Sequence, residues 1–148
     1  MLDTSSFRSL TMRQPMMLIA LTVLGGCASP LPPVDPKQAW VDLYTITPGR
    51  LLMADRLDGE RLEDGRYFQV TPGRHELVVR FDYEMNSGGF SLDPTDRTCY
   101  LTVRFDRFDA GQRYRLEARA PAMQPRVYLY DAQRRVLVDE PSRVFCIP

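Results

Sequence analysis

From Trp40 onward, apolar and polar residues alternate with a period of two in one segment after another. In HELVVRFDYE, Leu77, Val79, Phe81 and Tyr83 fall on one side, with Val78, Arg80, Asp82 and Glu84 on the other. CYLTVRFDRF sets Cys99, Leu101, Val103 and Phe105 against Tyr100, Thr102, Arg104 and Asp106. RYRLEARA sets Tyr114, Leu116, Ala118 and Ala120 against Arg113, Arg115, Glu117 and Arg119. Successive side chains of a strand point to opposite faces, so each pattern predicts a strand buried on one face and wet on the other.

The residues between these segments are turn formers. Thr71-Pro72-Gly73-Arg74 carries Pro and Gly where a type II turn requires them, and reads as a hairpin joining Tyr67–Val70 to His75–Glu84. Asp58-Gly59 is a hairpin signal after LLMADRL. Asp109-Ala110-Gly111-Gln112 joins the Cys99–Phe108 strand to Arg113–Ala120, and a last hairpin turns around Ala132-Gln133-Arg134. With WVDLYTI at Trp40, this predicts an all-β domain over residues 40–148, an antiparallel β-sandwich of about seven or eight short strands rather than a βαβ fold. One connection is longer. MNSGGFSLDPTDR, from Met85 to Arg97, reads either as a functional loop clamped by the adjoining Cys99 or as a crossover between the two sheets.

Ahead of the domain the pattern is different. Residues 16–24 form an apolar run, MMLIALTVL, with Arg13 before it. A membrane-spanning helix needs about 20 apolar residues, so this length suits the h-region of a secretory signal instead. Met12 makes a more ordinary start for such a signal than Met1. The run ends in Leu24-Gly25-Gly26-Cys27, which resembles the lipobox of bacterial lipoproteins. That resemblance implies a signal peptide over residues 1–26, cleavage between Gly26 and Cys27, and acyl chains (palmitate among them) on Cys27. Several chains on one cysteine anchor stably, at ~0.8 kcal/mol per buried methylene. By the sorting pattern of Gram-negative lipoproteins, Ala28 implies the outer membrane, with the domain facing the periplasm. Ser29-Pro30-Leu31-Pro32-Pro33-Val34-Asp35-Pro36 carries four prolines. Residues 27–39 thus read as a lipidated tether, extended at ~3.1 Å per residue.

Composition narrows the partners. Nineteen Lys and Arg balance nineteen Asp and Glu, and Lys37 is the only lysine. That balance lacks the basic footprint of a nucleic-acid binder. Arginines interleave with acids, as in ERLEDGR and RFDRFDAGQR, which reads as a solvated mixed-charge surface. With Cys27 lipidated, Cys99 and Cys146 remain, and an even pair in an exported domain is most simply a disulfide. It would close a loop of about 50 residues, for ~4 kcal/mol at most, and would pin the C-terminus. The alternatives are a zinc site, poorly served without neighbouring histidines, or a reactive thiol.

The order Asp58-Gly59, then Thr71-Pro72-Gly73-Arg74-His75 and an alternating strand, resembles PEGA-type modules of bacterial envelope proteins. Phe105 to Leu116, with its Ala110-Gly111 turn and Tyr114-x-Leu116 strand, is similar to small uncharacterised Gram-negative lipoproteins. The resemblance covers roughly residues 50–120. It implies a β-sandwich interaction module without cofactor, in which His75 is structural.

Candidate chemistry is sparse. A catalytic triad would have to use His75, the only histidine, and no GxSxG elbow accompanies it. Asp93 and Asp96 suit a glycosidase pair, a calcium site or plain turn capping. No dinucleotide or phosphate loop is present in the sequence. Trp40, Tyr44, Tyr100, Tyr128 and Tyr130 are candidates for an outer sheet face that contacts glycan or protein. In RVYLYD, either Val127 and Leu129 or Tyr128 and Tyr130 face outward, and an exposed tyrosine pair would be a recognition patch. Linker or loops covering both faces is the other reading. The sequence therefore points to a non-catalytic interaction or assembly module of the cell envelope. It carries no cofactor or metal, is attached to the membrane at Cys27, and takes a periplasmic or envelope protein as partner. The competing readings are an accessory lipoprotein of a secretion machine and a ligand-binding or hydrolytic domain using the 85–97 loop.

Overall fold

The computed structural model describes residues 29–85 and 94–147. The expected signal segment, along with Gly26, Cys27, Ala28 and Asp93, lies outside the described residues. Ser29 to Val34 are exposed and have no regular structure. Among the described residues, the domain that follows has ten strands: β1 Ala39–Thr45, β2 Leu51–Leu57, β3 Glu60–Arg61, β4 Tyr67–Val70 and β5 Gly73–Met85, then β6 Thr95–Phe108, β7 Arg113–Arg119, β8 Arg126–Tyr130, β9 Val136–Val138 and β10 Arg143–Ile147. They form two five-stranded sheets, in the orders β4-β1-β7-β8-β9 and β10-β6-β5-β2-β3.

The alternating residues behave as expected. Leu77, Val79, Phe81 and Tyr83 of β5, Leu101 and Val103 of β6, and Leu116 and Ala118 of β7 are all buried in one core cluster. Val127 and Leu129 of β8 join them, fully buried, so Tyr128 and Tyr130 turn to the outer face, but they are not an exposed pair, since Tyr130 is only 8% exposed. Phe105, Phe108 and Tyr114 close one end of the core, the last two edge to face at 5.0 Å.

Three connections differ from the sequence expectation. Thr71–Arg74 is not a hairpin, because β4 pairs with β1 in one sheet while β5 pairs with β2 and β6 in the other. The turn is a corner between sheets, with Gly73 at φ 117°, a conformation that a side chain would strain. Asp109–Gln112 is likewise a corner, carrying the chain from β6 to β7. Conversely, the long connection after Met85 joins neighbouring antiparallel strands of one sheet. Met85 pairs with Thr95, so Thr95 to Thr98 belong to β6 and the connection is shorter than the sequence suggests. Turn-forming residues signal a reversal of direction, but which sheet receives the next strand depends on partners distant in sequence.

The sandwich is also not purely antiparallel. β1 runs parallel to β7, Trp40 opposite Arg113 through Thr45 opposite Ala118. The cause lies at the Asp109–Gln112 corner. Gly111 N–H donates to the Gln38 carbonyl at 2.9 Å, and Trp40 N–H donates to the Gln112 carbonyl at 3.0 Å. The incoming chain is thereby laid beside the start of β7. A Cβ on Gly111 would lie 3.3 Å from the Pro36 carbonyl oxygen. Residues 36–39, read from sequence as the end of the tether, therefore belong to the domain, and Ala39 is a fully buried core residue.

β10 was not legible as a strand. It pairs antiparallel along the edge of β6 from Arg143–Thr102 to Ile147–Thr98. Cys146 sits directly opposite Cys99, with Cα atoms 4.0 Å apart and the two sulfurs at disulfide distance.

Candidate functional site: the outer face of the β1-β7-β8 sheet

The period-two pattern of β7 turns Arg113, Arg115, Glu117 and Arg119 away from the core. The parallel register with β1 and the antiparallel register with β8 bring neighbours to each. Tyr44, Glu117 and Tyr128 form one row across three strands, and Asp42, Arg115 and Tyr130 form the next. Facing side chains in such rows are about 4.5–5.5 Å apart at Cβ, close enough to pack.

Glu117 is the centre. Its side chain is 1% exposed although it lies on an outer face. Arg119 Nε donates to Glu117 Oε1 at 2.8 Å, and a second Arg119 N–H donates to the Tyr130 hydroxyl at 3.3 Å. Arg115 Nε and Arg134 Nη2 approach the other oxygen, Oε2, at 3.8 and 3.7 Å. The hydrogen bond to Glu117 raises the pKa of Arg119 above its ordinary value. Each guanidinium also lies over a ring: Arg115 over Tyr44 at 3.5 Å, Arg119 over Tyr128 at 4.9 Å, and Arg134 over Tyr130 at 4.8 Å. Cations over aromatic faces are favourable, and more so when partly desolvated. Together these rings and guanidinium planes shut water away from the carboxylate.

The turn between β8 and β9 places Arg134. Asp131 accepts from the backbone N–H groups of Gln133 and Arg135 at 3.0 and 2.9 Å, and from Arg135 Nε at 2.6 Å. Arg134 itself sits in the left-handed region at φ 64°. Toward β4 on the same face, Arg113 makes two hydrogen bonds to Asp42, at 2.6 and 2.9 Å, and Trp40 Nε1 donates to the same carboxylate at 2.9 Å. The Arg113 hydrogen bond is the main reason that the Asp42 carboxyl is held below the usual carboxylate range. The Trp40 ring stacks on Tyr67 at 4.3 Å, which leaves it buried.

Among the described residues, this face brings no nucleophile beside a base. What it offers is planar cations, aromatic surface and one enclosed carboxylate, a chemistry suited to recognition.

The other residues singled out from sequence lie elsewhere. Tyr100 stands apart from the other four aromatics, on the outer face of the opposite sheet between Arg80 and Phe145. Asp96 is an exposed residue of β6 opposite Glu84. Among the described residues, no group of three His, Cys, Asp or Glu side chains is placed to hold a metal ion.

His75 meets Asp58 Oδ2 through Nδ1 at 2.6 Å, and Thr71 Oγ1 lies 3.1 Å from Nε2. This imitates a hydrolytic triad, but Nε2 is nearer to the Thr71 carbonyl oxygen, at 2.7 Å. A carbonyl only accepts, so Nε2 donates there and is not a base toward the hydroxyl.

Glu117 and its arginines were read from sequence as ordinary mixed-charge surface. The available signal was Arg-x-Arg-x-Glu-x-Arg on the wet side of one strand, three cations around one acid. The chain matches no protein-family model, no curated protein and no solved structure.

Proposed function

We propose that this protein is a lipid-anchored, non-catalytic interaction module of the bacterial cell envelope. Cys27 carries the anchor, the proline-rich segment spaces the sandwich from the outer membrane, and the outer face of the β1-β7-β8 sheet meets a periplasmic or envelope partner. The observation that supports the interaction reading is the enclosure of Glu117 by Arg115, Arg119, Arg134 and three tyrosines on a face directed away from the core. Folding has little use for it. A carboxylate buried among guanidinium groups gains little stability over apolar packing. Arginine and tyrosine are instead the residues that dominate binding hot spots. The address rests on the residue 16–24 run, the Leu24-Gly25-Gly26-Cys27 box and the prolines behind it.

The test is a photo-crosslinking side chain placed at Tyr128 in the full-length protein, expressed in its own host. One discrete crosslinked product is expected from Tyr128, and none of the same size from Tyr100 on the opposite sheet. Equal labelling from both positions, or none from Tyr128, would refute the assignment of this face.

A further inference from the structure

The guanidinium groups on this face outnumber their counter-charges. Arg115, Arg119 and Arg134 share the single carboxylate of Glu117. A fourth cation, Arg126, stands directly opposite Arg119 across the β7–β8 pairing. Like charges opposed across a sheet are unfavourable. No salt bridge of Arg126 forms among the described residues, while Arg113 is already paired with Asp42. An excess of positive charge therefore sits on one face of a chain whose total charge is zero.

A second, independent feature lies beneath it. Glu117 Oε2 and Arg115 Nε are both buried, and neither has a hydrogen-bond partner among the described protein groups. They are 3.8 Å apart, too far to satisfy one another. Buried polar groups left without a protein partner are costly, and each calls for a partner from solvent or from a ligand. Glu117 Oε2 requires a donor, and Arg115 Nε requires an acceptor.

We propose that this face binds an acidic polypeptide segment, which brings carboxylates to Arg126 and Arg134 and backbone N–H and C=O groups to Glu117 and Arg115. The inference rests on the reading of this face as the working surface and adds the chemistry of its partner. Arg134 is the movable part of the canopy. It is 53% exposed, it comes from the β8–β9 turn, and it lies 3.7 Å from Glu117 Oε2. An incoming carboxylate takes Arg134 from Glu117, so the cation exchanges one acid for another and Oε2 is uncovered for an N–H donor. Tyr44, 44% exposed, supplies apolar contact alongside. Fully ionised sulfate or phosphate groups satisfy the arginines but only accept, so they give Glu117 Oε2 no donor. A polypeptide brings both.

The experiment measures binding to the full-length lipidated protein in detergent. The probe is a fluorescein-labelled peptide alternating Glu and Gly, and the control is the same peptide with Gln in place of Glu. The Glu peptide is expected to bind at least about tenfold more tightly and to be released by salt. Arg126→Glu and Arg134→Glu, both at exposed positions, are each expected to weaken binding about tenfold, whereas Arg143→Glu on the opposite sheet leaves it unchanged. Equal binding of the two peptides, or equal effects of all three substitutions, would overturn the proposal. So would dextran sulfate competing as well as the Glu peptide at equal charge, which makes the site one for polyanions. If the peptide does not bind while the Tyr128 crosslink persists in cells, the acidic partner is wrong and the working surface stands. If the peptide binds but Tyr128 crosslinks nothing, the surface reading is the one that falls.

Discussion

The Asp58 carboxylate and the His75 imidazole meet at 2.6 Å, and through them two turns far apart in sequence become one unit. Asp58 Oδ1 accepts the Glu76 N–H at 2.8 Å, and the Asp58 N–H donates to the Glu76 carbonyl at 2.8 Å. The other ring nitrogen of His75 holds the Thr71 carbonyl. The Asp58-Gly59 hairpin is thus locked to the corner where the chain changes sheets. Asp58 at φ 50° and Gly59 at φ 86° have the doubly left-handed geometry of the tightest hairpin turn.

His75→Ala is therefore expected to destabilise the domain by about 1–2 kcal/mol, through loss of two hydrogen bonds at a mostly buried ring. Urea denaturation measures it. In a double-mutant cycle with Asp58→Asn, which tolerates the left-handed backbone, the two losses should not add. Strict additivity would mean that the contact contributes nothing and that the turns hold independently.

The same contact makes stability depend on pH in a definite direction. Burial works to raise the Asp58 carboxyl, but the Glu76 N–H and His75 outweigh it and hold the group below its ordinary value of 3.8. A carboxyl lowered on folding contributes stability that is complete above its unfolded value and lost as pH falls through the folded one. The Asp58 contribution to the stability gap between the native protein and Asp58→Asn should thus shrink as pH falls below about 4. A gap that widens on acidification would reverse the assignment.

Sequence pattern made the inward residues legible because alternation needs only the chain itself. Leu77, Val79, Phe81, Leu101, Val103 and Leu116 all lie in the core where period two puts them. The two corners were not legible, since Thr71–Arg74 has the same residues whether the next strand returns to its own sheet or crosses to the other. β10 was missed because RVFCI is a short apolar run whose alternation is weak. Its strand character comes from β6 alongside. For the site, β7 showed which residues face outward, and β8 left its two faces undecided. The burial of Glu117 was hidden altogether. It depends on Tyr44 of β1 and on Arg134 of a later turn, which only the assembled sheet brings near.

The proposed anchor makes a prediction readable without any partner. Protein extracted from native membranes should have the intact mass of residues 27–148 plus acyl groups, and reduction should add the mass of a pair of hydrogens. A chain retaining residues ahead of Cys27 would remove the lipid anchor and the outer-membrane address together.

Cys99 and Cys146 join strands already paired, and Cys99 is wholly buried while β10 is an edge. Reduction should therefore loosen the C-terminal strand first. Hydrogen exchange is expected to speed up at the β10 amides while those of β5 keep their protection. The total loss should stay below the ~4 kcal/mol of the chain-entropy estimate, because the β6–β10 ladder persists as a constraint. Uniform deprotection of both strands would instead make the bridge a condition of folding.

Glu117→Gln separates the charge of this residue from its shape. The amide keeps the volume and can still accept from Arg119, but it leaves Arg115, Arg119 and Arg134 facing each other around a neutral group. Removing one partner of a fully buried ion pair costs about 3–5 kcal/mol; these guanidinium groups keep part of their water, so a loss of about 2 kcal/mol is expected. Their side chains are 31%, 39% and 53% exposed, in that order. Added sodium chloride should recover part of that loss in the variant, since anions from solution screen the repulsion. The native protein, with the carboxylate in place, should respond less. Denaturation in urea at low and high salt reads both effects at once. A variant as stable as the native protein at low salt would mean that the arginines disperse into solvent without Glu117, and that the carboxylate does not organise the face.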